Sequence, residues 1–321
     1  MAEKRIGILS QFFPPKPTWT AKDVPDLTGK KVIITGGNGG IGKETARILL
    51  SKNAKVYLAA RSEEKANAAI SELKKATGKQ DVYFLKLDLA DLVTIKAAAA
   101  EYTSKESELH ILYNNGGIMF PPVEMLTKQG YDAQFGVNVL GHFYLTKLLL
   151  PTLLETAKNS PPGTVRVVTL SSAGHNFLAP PEGIKWETLE KGDKSLAARK
   201  KLTTDKLYGQ SKIANIFFAN ELARRYGDQG IVSISLHPGG IKTDLARHSG
   251  FLARKVGTRM LYDIPFGAIT PLYAGTSPEA AKLNGKYLTA WARVTLPNEK
   301  AINPQLESKL WEWSEEQVRD I

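Results

Sequence analysis

Tyr208 and Lys212 stand at i and i+4 in the run YGQSK, one above the other on a helix face. A tyrosine alone is a poor proton donor at neutral pH, because its ordinary pKa is about 10. A neighbouring ammonium favours the phenolate and brings the group toward working pH, which is what general acid catalysis needs. Such pairs are common on helices, so the spacing alone decides little. Ser172 adds weight. It ends the strand-like run VVTLSS, on the edge where open α/β sheets hold ligands. A strand-end cap is its plainer role. The runs NNGG and GVNVLGH, upstream of it, carry further polar groups toward the same edge.

A second chemical feature is VIITGGNGGIGKETARIL, with five glycines between Gly36 and Gly42. Glycine weakens strand and helix interiors, so a cluster at one junction needs a reason. A pyrophosphate on a helix N-terminus needs the main chain close by, and any Cβ obstructs it. The helix dipole and its free N–H groups then stabilise the negative charge. On this reading Gly36, Asn38, Gly40, Ile41 and Gly42 bind a dinucleotide. The next strand-like run ends VYLAARS. A fold that prefers NAD places an acid near there for the ribose hydroxyls; this chain has Arg61, whose planar charged fork suits a 2′-phosphate. The expected cofactor is therefore NADP(H). Asp88 and Leu89, in KLDLADL, are expected near the adenine, with helix capping the commoner role for such an aspartate.

The elements that must position these groups follow from the pattern. Apolar runs KVIIT, AKVYLAA, DVYFLKL, LHILYN, TVRVVTL and IVSISLH, and a weaker GKYLTA, alternate with helical patterns such as KETARILLSK and SKIANIFFANELARRYG. Strand, helix, strand, repeated, predicts an α/β fold: a Rossmann-type doubly wound parallel sheet of about seven strands in a single domain. The expected divisions are an arm over 1–26, the dinucleotide-binding domain over 27–290 and a tail over 291–321.

Composition narrows the classes. Of 321 residues 42% are hydrophobic and none is cysteine, which excludes disulfides, thiolate metal sites and a cysteine nucleophile; no metal site is expected. The net charge of +11 is scattered, and the one dense run, ARKK, sits among Glu187, Glu190, Asp193 and Asp205. A basic surface with an anionic cofactor explains this better than nucleic acid. The N-terminal stretch has no apolar core of signal-peptide or membrane-span length, so the expectation is a cytoplasmic protein without an integral membrane segment. FYLTKLLLPTLL, interrupted by Lys147 and Pro151, reads as a buried helix.

Taken in order, these motifs resemble the short-chain dehydrogenase/reductase family over about residues 27–290. The T-G-x-x-x-G-x-G pattern falls on Thr35, Gly36, Gly40, Ile41 and Gly42, and N-N-A-G appears as Asn114, Asn115, Gly116 and Gly117, with glycine for alanine. The resemblance implies that Asn115 and Gly116 bind cofactor, and that Asn138, Ser172, Tyr208 and Lys212 are the catalytic set. It also implies that Pro238, Gly239, Ile241 and Thr243, in HPGGIKTDL, close over the nicotinamide. GIGKETARIL, VYLAARS and FGVNVLGHFYLT are similar to its retinol-dehydrogenase-like branch, including the oxidoreductase domain of WW-domain oxidoreductases. SQFFPPKPTWT and LWEWSEEQV are similar to the soluble fungal proteins of that branch.

The implied reaction is hydride transfer between NADPH and a carbonyl carbon, or the reverse oxidation of an alcohol. Ser172 orients the carbonyl oxygen and Tyr208 protonates it. Lys212 holds the ribose and lowers the tyrosine pKa, and Asn138 positions a water that reconnects Lys212 to solvent. A lid is expected over about 244–268, where Phe251, Leu252, Met260, Leu261, Tyr262 and Phe266 alternate with basic residues. An apolar wall there implies an apolar or aromatic aldehyde or ketone. Ordinary helix packing, or a peripheral membrane contact, competes for the same residues. The interval between Ser172 and Tyr208 is long; it contains Pro180, Pro181, Gly183 and Gly192 and cannot form one helix. Two readings stand for it: Phe177, Leu178 and Trp186 face the substrate and wall its pocket, or the segment is a solvated loop that only lengthens the surface. A homodimer through the segments around 131–150 and 205–226 is expected by analogy. The competing function classes are a nucleotide-binding regulator without turnover and a scaffold, the latter suggested by the excursion and by Trp311 and Trp313.

Overall fold

The computed structural model describes residues 4–243, 245 and 261–321. All seven apolar runs become strands: β1 (Lys31–Thr35), β2 (Lys55–Ala60), β3 (Val82–Lys86), β4 (Ile111–Asn114), β5 (Val165–Leu170), β6 (Ile231–Leu236) and β7 (Tyr287–Thr289). They pair in parallel in the order β3-β2-β1-β4-β5-β6-β7. An eighth strand, β8 (Arg293–Thr295), adds antiparallel at the β7 edge. It is one more strand than the pattern predicts, because Arg293–Thr295 offers no apolar run. β1 is hydrogen-bonded to β2 on one side and β4 on the other, so the strand order reverses there and opens a crevice at the C-terminal edge.

Helices cover both faces. α1 (Gly40–Ser51), α2 (Glu63–Thr77) and α6 (Ile264–Thr276) pack on one side around Val32, Ile34, Leu49, Leu58 and Ile234. On the other side α3 (Leu92–Lys105), α4 (Gly141–Lys158), α5 (Thr204–Tyr226) and α7 (Pro304–Val318) enclose Ile33, Leu112, Leu145, Val167 and Phe218. Local signals fix the ends. The Ser62 hydroxyl accepts from the Lys65 amide at the start of α2, with Glu63 and Glu64 in the first turn, and Gly78 closes it at φ +70°.

The apolar run around Pro151 becomes part of a continuous helical stretch, Ala133–Lys158, with a mean hydropathy of 1.2. It is long and apolar enough to cross a membrane, but 72% of its apolar window is buried inside the protein, as a core helix is.

Residues 291–321 do not form a tail. Trp311 on α7, 3% exposed, stacks on Phe218 at 6.0 Å and meets Phe143 edge-on at 5.0 Å. Glu307, also buried, accepts from Asn220 and Arg224 of α5. The aromatic run LWEW is therefore core, and α7 lies across α4 and α5, the helices expected to pair in a dimer.

The excursion between β5 and α5 folds into short helices, Gly174–Phe177, Trp186–Leu189, Gly192–Ser195 and Leu196–Leu202. The dense basic run ends up partly inside it: Arg199, 1% exposed, donates to the Val123 and Gly192 carbonyls and to Ser195 Oγ at 3.1 Å.

Candidate active site

The glycine turn leaves β1 and enters α1 at the crevice. Gly36 has φ +64°, a conformation that L side chains rarely adopt. A Cβ on Gly42 would lie 2.5 Å from the Gly36 carbonyl oxygen and 2.6 Å from Asn115 Nδ2, so only glycine keeps the turn closed. Thr35 ties this turn to the end of β4. Its hydroxyl accepts from the Asn115 and Gly116 amides at 2.9 and 2.8 Å, and Asn115 Nδ2 donates to the Thr35 carbonyl at 2.7 Å.

A cavity of about 570 Å³ opens above these residues. It is lined by Gly36, Asn38, Gly40, Ile41 and Gly42 of the turn, by Asn115 and Gly116, by Ser172, Tyr208 and Lys212, and by Pro238, Gly239, Ile241 and Thr243. One space thus joins the glycine turn to the tyrosine–lysine pair. Thr243 lies over the turn, 3.5 Å from where a Gly40 Cβ would stand. Ile41 and Ile241 converge on Gly267 of α6.

The catalytic candidates come together at the far end. Tyr208 and Ser172 meet at Gly174, where a Cβ would lie 3.4 Å from Tyr208 Cε1 and 3.5 Å from Ser172 Oγ, and Ser172 Oγ accepts from the Gly174 amide at 3.1 Å. Lys212 Nζ donates to the Leu170 carbonyl at 3.1 Å and lies 5.6 Å from the Tyr208 ring centre. Asn215, which the sequence did not single out, donates to the same carbonyl at 2.9 Å. The end of β5 is thereby bound to α5. Burial pushes the Tyr208 phenol up to about 12, opposed by Ser172, and pushes Lys212 down to about 8.

Asn138 sits in a wide π-type turn, Gly136–Leu140, that opens the helix before α4. Its amide donates to the Ile118 carbonyl and Ser211 Oγ, both at 3.0 Å, and Oδ1 accepts from the Ile118 amide at 2.9 Å. The side chain clamps two segments beside Lys212. Two other residues in this region were not found by sequence reasoning. His142, 1% exposed, has Nδ1 3.0 Å from the Asn138 carbonyl and Nε2 2.8 Å from Thr35 Oγ1. A carbonyl only accepts, so Nδ1 carries the proton and Thr35 donates to Nε2. Burial holds this imidazole down at about 4, hence neutral. Phe120, at φ +56°, meets the Tyr208 ring edge-on at 5.4 Å. Its place before Pro121 gave no sign of this, because a residue preceding proline favours extended backbone.

Several expectations fall elsewhere. Arg61 is exposed at the end of β2 and does not line the cavity; Lys43 and Lys65 do, with Lys43 paired to Glu72. Asp88 caps no helix: its Oδ1 accepts from the Ala90 amide at 3.0 Å, and Asp91 caps α3. Leu89 packs beside Gly116, off the cavity wall. In the excursion, Leu178 is the residue nearest the chemistry, its Cδ1 3.4 Å from where a Gly174 Cβ would stand, with Tyr208 Cε1 and Ser172 Oγ beside it. Trp186 turns away to Trp313 of α7, 6.3 Å off, under the Lys309 ammonium. Of the expected lid, residues 244 and 246–260, with Phe251, Leu252 and Met260, lie outside the described residues. Tyr262, partly buried, and Phe266, exposed, pack on the buried Trp291 at 5.0 and 5.3 Å.

A family model, short chain dehydrogenase, matches residues 30–179. A short-chain dehydrogenase/reductase of the fungus Armillaria gallica is 52% identical, covering 98% of each chain. Another, from Phomopsis amygdali, is 42% identical over 97% of this chain and 96% of its own. The chain belongs to the short-chain dehydrogenase/reductase family. Among solved structures, an uncharacterized protein of Mycobacterium paratuberculosis superposes with a TM-score of 0.68 at 29% identity, covering 94% of this chain and 97% of that one. A short chain dehydrogenase from Burkholderia cenocepacia, in complex with NADP, gives 0.61 at 26% identity over 83% and 98%. This short-chain dehydrogenase/reductase has the features a nicotinamide dinucleotide needs. The glycine turn leaves room for a pyrophosphate, and the Tyr208–Lys212 pair lies at the other end of the same cavity.

Proposed function

We propose that the protein is an NADP(H)-dependent carbonyl reductase for apolar or aromatic aldehydes and ketones, akin to the retinol-dehydrogenase-like branch and acting in the cytoplasm. The observation that carries it is the meeting of Ser172, Tyr208 and Lys212 in one cavity with the glycine turn, beside Phe120 and Leu178. Phe120 stands against one side of the tyrosine and Leu178 near the other, a setting that suits an apolar substrate body with one polar end.

A bound NADPH supplies the hydride that reaches the carbonyl carbon. The protein does the rest. The Ser172 hydroxyl donates to the carbonyl oxygen and fixes its direction. The Tyr208 hydroxyl, protonated at neutral pH, gives that oxygen its proton as negative charge builds there. The Lys212 ammonium, predominant below about pH 8, stabilises the phenolate left behind and reaches the ribose. The reverse sequence oxidises an alcohol.

Arg61 supports NADP(H) over NAD(H): it places a guanidinium, with no acid, at the end of β2. The NADP complex of the Burkholderia cenocepacia relative agrees with this reading. The scaffold alternative loses its motive, because Trp311 is buried in the protein's own core and Trp313 packs against Tyr131 and Phe135. Following NADPH oxidation with a panel of aldehydes and ketones tests the proposal. Turnover of aromatic members supports it, and no turnover with any carbonyl contradicts it.

A further inference from the structure

The segment before β1 is tied to the far edge of the sheet. The Ile6 amide donates to Thr295 Oγ1 of β8 at 2.8 Å, and the Arg5 guanidinium donates to the Pro297 carbonyl at 3.1 Å. Arg293 reaches Ser10 twice, donating to its carbonyl at 2.7 Å and its hydroxyl at 3.1 Å. Gln11, 2% exposed, closes the turn by donating to the Ile6 carbonyl. A terminal stretch with no role would not need this many long-range anchors, since ordering each residue costs about 1–2 kcal/mol of backbone entropy.

The anchors deliver one ring. Phe12 ends the helical turn Ile8–Phe12 and is half-buried, with its centre 6.4 Å from the His237 ring and 6.5 Å from the Phe177 ring. One neighbour lines the site and the other adjoins it in sequence. His237 lines the same cavity as Ser172 and Tyr208. Phe177 ends the short helix whose first residue, Gly174, packs against Tyr208. Phe177 itself is 55% exposed, an aromatic face left open at the rim of the site. His237 adds an independent sign of a ligand: it is buried, yet neither ring nitrogen has a hydrogen-bond partner among the described residues. Buried polar groups are nearly always paired, and burial holds this imidazole neutral, able to donate and accept.

We propose that residues 4–13 form the outer wall of the substrate site, where Phe12 contacts the apolar body of an aromatic carbonyl substrate and Arg293 is the positioning residue that seats it. The assignment rests on the carbonyl-reductase reading. It places a specificity element of the reaction on a segment that precedes the dinucleotide-binding core in sequence.

The test compares Phe12→Ala, Phe12→Leu and Arg293→Met with the unsubstituted protein, using benzaldehyde and propanal as substrates. For Phe12→Ala the KM for benzaldehyde rises on the order of tenfold, while the KM for propanal, kcat and NADPH affinity stay within about twofold. Phe12→Leu restores part of the benzaldehyde KM, and Arg293→Met reproduces the loss in milder form. Equal changes for both aldehydes, or none, overturn the assignment. If the unsubstituted protein reduces neither aldehyde, the reductase reading fails on its own. The wall is then judged by calorimetric binding of benzyl alcohol to the NADPH-saturated protein. Weaker binding by Phe12→Ala upholds it, and equal binding, or no binding by the unsubstituted protein, overturns it.

Discussion

Tyr208 and Ser172 line one cavity, both beside Gly174, although the chain between them leaves the sheet and winds through four short helices before returning. Their meeting does not depend on that excursion. Lys212 and Asn215 grip the Leu170 carbonyl at the end of β5, and Ser171 Oγ donates to the Lys212 carbonyl at 2.7 Å. The excursion is free to vary where it does not touch this clamp. Leu178→Ala is therefore expected to change relative kcat/KM between small and bulky carbonyls, whereas Trp186→Ala, which loses contacts with α7, leaves that ratio unchanged. A ratio that moves with Trp186 and not with Leu178 would refute this placement.

The proposed preference for NADP(H) rests on charge at the end of β2. Arg61→Asp replaces a permanent cation with an anion where a 2′-phosphate is expected. NADPH binding weakens by about tenfold or more, and preference moves toward NADH. Titration with both nucleotides checks it; tight NADH binding by the unsubstituted protein is the opposing result.

Lys212 gives a pH dependence with a definite sign. Its ammonium is held down at about 8 by burial, so it is charged below that pH and neutral above it. Affinity for NADPH is expected to fall as pH rises through about 8, and Lys212→Met to bind weakly with no such step. Tyr208, pushed up to about 12, stays protonated throughout and cannot cause the fall. Binding that is flat with pH in the unsubstituted protein contradicts the role of Lys212.

Trp311 anchors α7 against α4 and α5. Trp311→Ala removes a ring stacked on Phe218 and is expected to lower unfolding stability by about 3–5 kcal/mol in chemical denaturation. A loss below about 1 kcal/mol is incompatible with its place in the core.

The seven parallel strands and the glycine turn were legible because parallel strands buried on both faces read as apolar runs, and because a close turn admits little besides glycine. Ser172, Tyr208 and Lys212 were legible through residue type and spacing. What was hidden depends on long-range contact. β8 has three residues and no pattern of its own. The run LWEW reads the same as a tail or as core until Phe143 and Phe218 are placed under it. Phe120 takes a left-handed conformation that its sequence disfavours, and the His142 link between Thr35 and Asn138 exists only once β1 and the helix before α4 are side by side.

The central claim is that the Tyr208 hydroxyl delivers the proton. NADPH oxidation with an aromatic aldehyde, measured for the unsubstituted protein and for Tyr208→Phe at matched cofactor saturation, tests it most directly. The account predicts NADPH binding unchanged within about twofold and kcat lowered by about 10²–10⁴-fold, because only the ionisable oxygen is removed. A Tyr208→Phe protein that keeps most of its turnover would show that the proton comes from another group.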